Sequence, residues 1–316
     1  MIYTELYGRL GNQMFRYAMA RYLQLTHYPS DEICLSYNQI DEAGKIDPTF
    51  YHSLEDFNIS HTITYQKSGK VIFNESSIIQ KLLVIPYYLG LRKFSPEQMI
   101  ELVEYETKWT NLLEKNGVYW YRRNLPKSIP SGAKNKFVSG NFESPIFIDT
   151  IRKELLSEFT PKFDLLEKNR DLFEIISTKE SVCVSIRRGD FESNPEVSGL
   201  HSVCDRIYFE KAVSKMKVLL KNPVFILFSD DIEWAKENII TESETYFEDG
   251  ADPVWEKVRL MSSCKHFIIS NSSFSWWTQW LSTNETKIVI SPSKWFNNDF
   301  DCPLIDKNWV LIDKEM

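Results

Sequence analysis

The chain has 316 residues, 43% of them hydrophobic and 26% charged, with a formal net charge of −7. That length suits two domains or one large α/β domain, with enough apolar material for a sizeable core. The acidic balance argues against nucleic acid as a main partner but leaves room for a local basic pocket.

In chain order, the first six residues alternate like a strand and run into the glycine-punctuated loop "GRLGN". Met14, Phe15, Ala18, Tyr22 and Leu25 then recur at helical spacing, which predicts a helix over residues 12–26 and a β–loop–α opening. Between 30 and 135 the strands look short and aromatic residues are frequent. A helix is predicted over 95–117, with Ser95 and Gln98 as a capping box, Pro96 at the first helical position and Gly117 past the end. Residues 124–136 read as a loop. From about 180 the pattern becomes regular. "SVCVSI" is a strand, 206–220 a helix, 223–228 a strand, 231–239 and 253–264 helices, "HFIIS" a strand, "SFSWWTQWL" a helix and "TKIVIS" a strand. Strands that are apolar on both faces and alternate with helices indicate a parallel sheet covered on both sides, whose ligands sit beyond the carboxyl ends of the strands.

Three of those strand ends carry unusual polar residues. They are Arg187-Arg188-Gly189-Asp190, Ser229-Asp230-Asp231, and Asn271-Ser272-Ser273-Phe274-Ser275 where a helix begins. Guanidinium groups bind phosphate oxygens bidentately, and a helix start offers N–H groups and a positive dipole end. Adjacent arginines in a loop are ordinarily solvated and serines before a helix ordinarily cap it. Convergence of all three at one rim favours diphosphate recognition.

Other stretches read more plainly. "GRLGNQMFRYA" lacks the GxGxxG spacing; its Arg9, Asn12 and Gln13 either face a cleft or form a hydrogen-bonded turn. "DFD" at 299–301 has the form of a metal-holding pair but lies in an irregular acidic stretch and reads as a solvated loop. Trp276, Trp277 and Trp280 share one short helix and are assigned mostly to core packing. The five histidines and the five cysteines (Cys34, Cys183, Cys204, Cys264, Cys302) give no zinc spacing and no disulfide framework, as in a reducing compartment. The opening turns polar too early for a signal peptide, and no apolar run nears the ~20 residues of a spanning helix. "LLVIPYYLGL" (82–91) is too short and contains a proline. The expectation is a cytoplasmic protein, able to touch the inner face of a membrane peripherally but not anchored in it.

Taken together, "GRLGNQMFRYA", "VSIRRGDF", "FILFSDDIEWAKEN" and "LMSSCKHFIISNSSFSWWTQWL" resemble the α-1,2-fucosyltransferases of glycosyltransferase family 11. The resemblance implies a GT-B architecture, two Rossmann-like domains with parallel sheets facing a cleft. Residues 1–175 would form the acceptor side and 176–316 the GDP-fucose-binding domain, with the last residues free to cross back to the first. It implies metal-independent, inverting transfer of fucose from GDP-β-L-fucose to the 2-hydroxyl of a galactose, on an oligosaccharide or a lipid-linked glycan. No cofactor is implied. By position, Arg187 and Arg188 match the arginine pair on the diphosphate and Asp190 the following acid. Ser272, Ser273 and Phe274, with Asn271, match the phosphate-side turn, and Asp230 and Asp231 the motif at the second strand. Two positions depart from the family pattern: Ser185 stands where members often carry His, and Lys257 where an acid is expected, leaving Glu256 or Asp252 as guanine contacts.

For the general base that inversion requires, the candidates are Asp190, Glu192, Glu196 and His201, and Asp190 could equally brace the arginines. The alternatives are a transferase of another GDP-sugar or linkage, since pocket shape decides such selectivity, and a non-catalytic glycan- or nucleotide-binding protein. The arginine pair weighs against the last, because a sugar-binding module has no use for a diphosphate site.

Overall fold

The computed structural model of the protein describes residues 1–59, 62–189 and 195–313, with the side chains of all but 195–197. The chain divides into two compact units, Met1–Thr160 and Pro161–Met316. Each is built on a wholly parallel sheet, the composition expected of two Rossmann-like domains.

In the first unit, β1 (Ile2–Glu5), β2 (Ile33–Ser36), β3 (Thr62–Thr64), β4 (Val118–Tyr121) and β5 (Lys136–Gly140) lie in the order β3-β2-β1-β5-β4. The first helix runs Leu10–Thr26 and starts ahead of residue 12, because the Arg9 carbonyl already accepts from Asn12 N at 3.0 Å. Gly8 makes that tight entry. Its φ is +79°, and a Cβ there would stand 2.6 Å from Asn12 Nδ2.

The region between residues 70 and 130 departs most from the sequence reading. A helix spans Ile78–Leu91 despite Pro86, and it carries the capping box, Ser77 with Gln80, rather than Ser95 with Gln98. Only half of the expected box exists: Gln98 accepts from Ser95 N, while Ser95 Oγ bonds Glu97. The helix there is shorter, Met99–Lys115, leaving Pro96 in the turn before it; Gly117 (φ +75°) follows its end as expected. Two buried glutamates on this helix organise the irregular segment after β4. Glu106 accepts from the N–H groups of Arg122 (2.5 Å), Arg123 (3.0 Å) and Asn124 (2.6 Å). Glu114 accepts from Lys127 N, Ile129 N and Tyr121 Oη. Backbone donors that no strand can satisfy are thus satisfied by carboxylates, whose ionisation burial opposes and whose pKa it pushes up.

In the second unit, β6 (Ser181–Ile186), β7 (Val224–Ser229), β8 (Thr245–Phe247), β9 (His266–Ile269), β10 (Val289–Pro292) and β11 (Val310–Ile312) lie in the order β11-β10-β9-β6-β7-β8. Every residue of β6, β7, β9 and β10 is buried, as their unbroken apolar character predicts. Helices 206–219, 232–238, 254–263 and 273–281 fall where the periodicity put them. Strands β8 and β11, three residues each and half-exposed at the sheet edges, have no such signal. Trp276, Trp277 and Trp280 are buried against one another, as core packing requires.

The boundary lies earlier than the 175/176 division read from sequence. Residues 161–175 belong with the second unit because Glu256 accepts from Leu166 N (3.0 Å) and Asn169 Nδ2 (3.1 Å), and Asn169 also donates to Asp252 (2.8 Å). The last described strand, β11, pairs in parallel with β10.

Replacing Glu106 with Ala leaves three backbone N–H groups without their acceptor, so urea unfolding is expected to show a loss of at least about 2 kcal/mol. Glu106→Gln, which keeps one acceptor oxygen, should lose less.

Candidate functional site at the carboxyl rim of the second sheet

Strand β6 lies between β9 and β7, with Ser185 opposite Ile269 and Ile186 opposite Ser229. All three strands run the same way and end level, so Arg187-Arg188-Gly189, Asp230-Asp231 and Ser270 to Ser273 leave from one rim. The convergence expected from sequence is present. Asp190 and Glu192 lie outside the described residues, as does the side chain of Glu196.

Both arginines are held toward the β7 side. Arg187 Nη1 donates to Asp230 Oδ2 at 2.5 Å, and the other oxygen of Asp230 accepts from Arg188 N at 2.9 Å. The Arg188 guanidinium lies over the Trp234 ring, 3.8 Å from its centroid, with Nε 3.5 Å from Asp231 Oδ2. Asp231 also caps the helix 232–238 through Trp234 N. The aspartates expected to bind the donor are therefore the groups that orient the arginines. Gly189 lets this happen: a Cβ there would be 2.6 Å from Asp230 Oδ2. Arg187 and Arg188 each keep about a fifth of their side-chain surface exposed (22% and 20%), so neither is sealed from a ligand.

Across the rim, the helix 273–281 begins at Ser272, whose hydroxyl makes no cap, and Ser272, Ser273 and Phe274 are half-buried. Asn271 behaves otherwise than expected of a donor contact. It is buried and its amide donates to the carbonyls of His201 (2.8 Å) and Trp295 (2.9 Å), tying the neighbouring loops to the end of β9. Its Oδ1 is buried with no hydrogen-bond partner among the described residues. His201 closes the helix Pro195–His201 and sets its ring edge-on to Phe296.

Ser185 and Lys257, the two positions expected to depart from the family pattern, each have local partners. Ser185 is buried, and its hydroxyl lies 2.6 Å from Ser275 Oγ, which is 3.0 Å from Ser270 Oγ. Three hydroxyls thus join β6, β9 and the helix start where an imidazole was expected. Lys257 pairs with buried Glu248 at the end of β8 (3.2 Å) and donates to Gly250 O. Burial raises the pKa of Glu248 and Lys257 opposes the shift. Glu256 does not present itself to a base: it is fully buried, with its carboxylate engaged by Leu166, Asn169 and Arg259.

Among the described residues, Glu248, Asp249 and Asp252 are grouped closely enough to share a cation, but Lys168 already pairs with Asp249 (2.9 Å) and Asp252 (2.7 Å), and Lys257 with Glu248. Asp299 and Asp301 of the "DFD" stretch are exposed, as a solvated loop should be.

Of the two readings of the N-terminal triplet, the hydrogen-bonded turn describes Gln13. Gln13 is fully buried, donating to Gly8 O (3.0 Å) and Tyr51 O (2.9 Å) and accepting from Leu54 N (3.2 Å), so it locks a turn and faces no cleft. Asn12 packs on Gly8. Arg9 is partly exposed and bound to Asp47 (3.1 Å) and Thr49 (3.0 Å). Sequence reasoning missed Trp234 and the Lys257–Glu248 pair. Trp234 had a signal, being three residues beyond Asp231 on a helix whose first turn faces the arginines.

The model of the family described as "Glycosyl transferase family 11" matches residues 1–313. The chain is 31% identical over 316 residues to the O-antigen biosynthesis glycosyltransferase WbnK of Escherichia coli, covering 98% of this chain and 99% of that one. It is 30% identical over 327 residues to an alpha-1,2-colitosyltransferase of Escherichia coli, covering 99% of each. Galactoside alpha-(1,2)-fucosyltransferase 1 of Homo sapiens is 27% identical over 150 residues, 44% of this chain and 41% of that one. Among solved structures, fucosyltransferase NodZ from Bradyrhizobium superposes with a TM-score of 0.48 at 12% identity, over 88% of this chain and 90% of that one.

Because Ser185 sits in a closed hydroxyl cluster, Ser185→His should overpack it and lower unfolding free energy by about 1–3 kcal/mol in a urea titration. Ser185→Ala is expected to lose nearer ~1 kcal/mol, one hydrogen bond's worth.

Proposed function

The chain belongs to glycosyl transferase family 11, and from that premise we propose that it is an inverting galactoside α-1,2-fucosyltransferase. The donor would be GDP-β-L-fucose and the acceptor the 2-hydroxyl of a galactose-terminated oligosaccharide or lipid-linked glycan. The observation that carries this reading is the level ending of β9, β6 and β7, which brings two oriented arginines and a helix start to one rim. The α-1,2 linkage is supported by the names of the colitosyl- and fucosyltransferase relatives.

In this reading the second unit holds the donor and the first the acceptor. The acceptor 2-oxygen attacks the anomeric carbon from the face opposite the diphosphate; the new C–O bond forms as the bond to the phosphate oxygen breaks, and GDP leaves. Negative charge develops on the diphosphate, where Arg187, Arg188 and the N–H groups opening the helix 273–281 can stabilise it. Asp230 fixes the Arg187 guanidinium and the Arg188 backbone beforehand, so little reorganisation accompanies the reaction. The acceptor proton passes to a general base. The candidates are Asp190, Glu192, Glu196 and His201.

One observation favours a second donor. The full-length relative at 30% identity is named a colitosyltransferase. Colitose is L-fucose without its 3-hydroxyl, and a site that hydrogen-bonds that hydroxyl would reject the deoxy sugar by about 10⁴–10⁵.

Incubation with GDP-fucose and lactose, with and without EDTA, is the test. Fucosylated lactose formed equally under chelation is expected; turnover that dies in EDTA and returns with Mg²⁺ would refute the arginine mechanism. GDP-colitose consumed in preference to GDP-fucose would replace the donor assignment. Arg187→Ala and Arg188→Ala should each lower kcat by roughly 10²–10³ with an unchanged melting curve. Near-normal turnover in either variant sinks the diphosphate role. In pH–rate profiles, the variant that loses the acidic limb, Asp190→Asn or His201→Ala, identifies the base.

A further inference from the structure

The helix Ile78–Leu91 has two unlike faces. Its inner face, with Val84, Tyr87 and Leu91, is buried against Val118, Trp120 and Phe137, and Tyr87 Oη donates to Trp120 O at 2.5 Å. Its outer face carries Ile78, Ile79, Leu82, Ile85 and Leu89, each 47% to 79% exposed. At 100° per residue these five fall within an arc of about 120°, a continuous aliphatic stripe rather than scattered exposures. A soluble helix ordinarily puts charged residues on that face.

Along its own stretch of chain the helix carries charge of one sign. Between Glu75 and Glu97 there is no acidic residue, while Lys81, Arg92 and Lys93 are basic, in a chain whose net charge is −7. Lys81 and Arg92 fall beside the stripe on the helical wheel, and Arg92 and Lys93 are exposed just past its end. Aliphatic side chains flanked by long cations are what an anionic bilayer surface accepts: the apolar groups enter the acyl boundary and the cations stay at the headgroups.

We propose that this face docks the protein peripherally on an anionic lipid bilayer. The helix is too short to span one, and among the described residues none is long and apolar enough to do so. A second copy of the chain is a poorer occupant. A helix of this length is ~20 Å long, and a stripe ~10 Å wide offers roughly 200 Å², against about 800 Å² per partner in a stable interface. A two-fold contact would also set the basic groups of one copy near those of the other. Because the inner face is packed, the stripe is held in place and does not need to fold on the membrane.

The test is cosedimentation of the full-length protein with phosphatidylcholine vesicles and with vesicles also containing phosphatidylglycerol. Binding to the anionic vesicles is expected, weakening as salt rises, with little binding to phosphatidylcholine alone. The double variant Leu82→Asp, Ile85→Asp should bind at least tenfold more weakly with an unchanged circular-dichroism melt, and Lys81→Glu, Arg92→Glu, Lys93→Glu should lose the preference for anionic lipid. If the first variant melts early, the charge variant still decides. Wild-type protein left in the supernatant with both vesicles overturns the proposal, as does aspartate-variant binding equal to wild type. A concentration-dependent dimer abolished by the aspartate substitutions, without vesicle binding, assigns the face to a second copy instead. None of these readouts involves a donor or acceptor sugar, so the outcome is separate from that of the transferase reading.

Discussion

The constraint on which the site depends is the register between β6 and β7. With Ile186 opposite Ser229, the next residue on each strand is Arg187 and Asp230, and the two meet at 2.5 Å. Strands buried on both faces can carry polar groups only at their ends. Parallel pairing then brings the ends of neighbouring strands to one side, and the chemistry of the rim follows from three short junctions. Gly189 completes the arrangement, since a side chain there would collide with the carboxylate that holds both arginines.

That arrangement also sets the electrostatics. Among Arg187, Arg188, Asp230 and Asp231, two positive and two negative charges balance formally. A guanidinium has five donors, so one bond to a carboxylate orients it without exhausting it. The result differs from an open cationic patch, which would attract any anion. A ligand gains most here if it offers acceptor oxygens at the geometry the braced arginines present. The same local balancing recurs at the end of β8, where Lys257 offsets a buried Glu248.

What could be read in the sequence, and what could not, follows from the range of the signals. β6, β7 and β9 were legible because continuous apolar runs between polar junctions are a local pattern, and the helices after them have clear periodicity. The helix 78–91 was hidden because it is apolar on both its buried and its outer face and contains Pro86, so its period is faint. The end of β8, the roles of Glu106 and Glu114 and the burial of Gln13 depend on partners 5 to 41 residues away (Gly8 from Gln13, Leu54 from Gln13), or on backbone donors that no side-chain pattern reveals. Ser185 was conspicuous only by contrast with the family; its partner Ser275 lies 90 residues on.

The corrections share a direction. Gln13, Asn271, Glu256 and Asp230 are polar residues near strand ends: Asn271 and Asp230 were read as donor contacts, Glu256 as one of two alternatives for a guanine contact, and Gln13 as facing either a cleft or a turn. All four hold backbone or side chains in place. A rim that must present a few groups accurately has to satisfy many more backbone donors and acceptors where the strands stop, because the ladder no longer does so. Most polar residues at such a rim therefore belong to the support, and those that remain for the ligand combine a strong charge or dipole with partial exposure. By that criterion Arg187, Arg188 and the Ser272–Phe274 turn stand out from their neighbours. At Ser185, where the resemblance led to the expectation of a histidine, and at Lys257, where it led to that of an acid, neighbouring side chains supply the complementary partner.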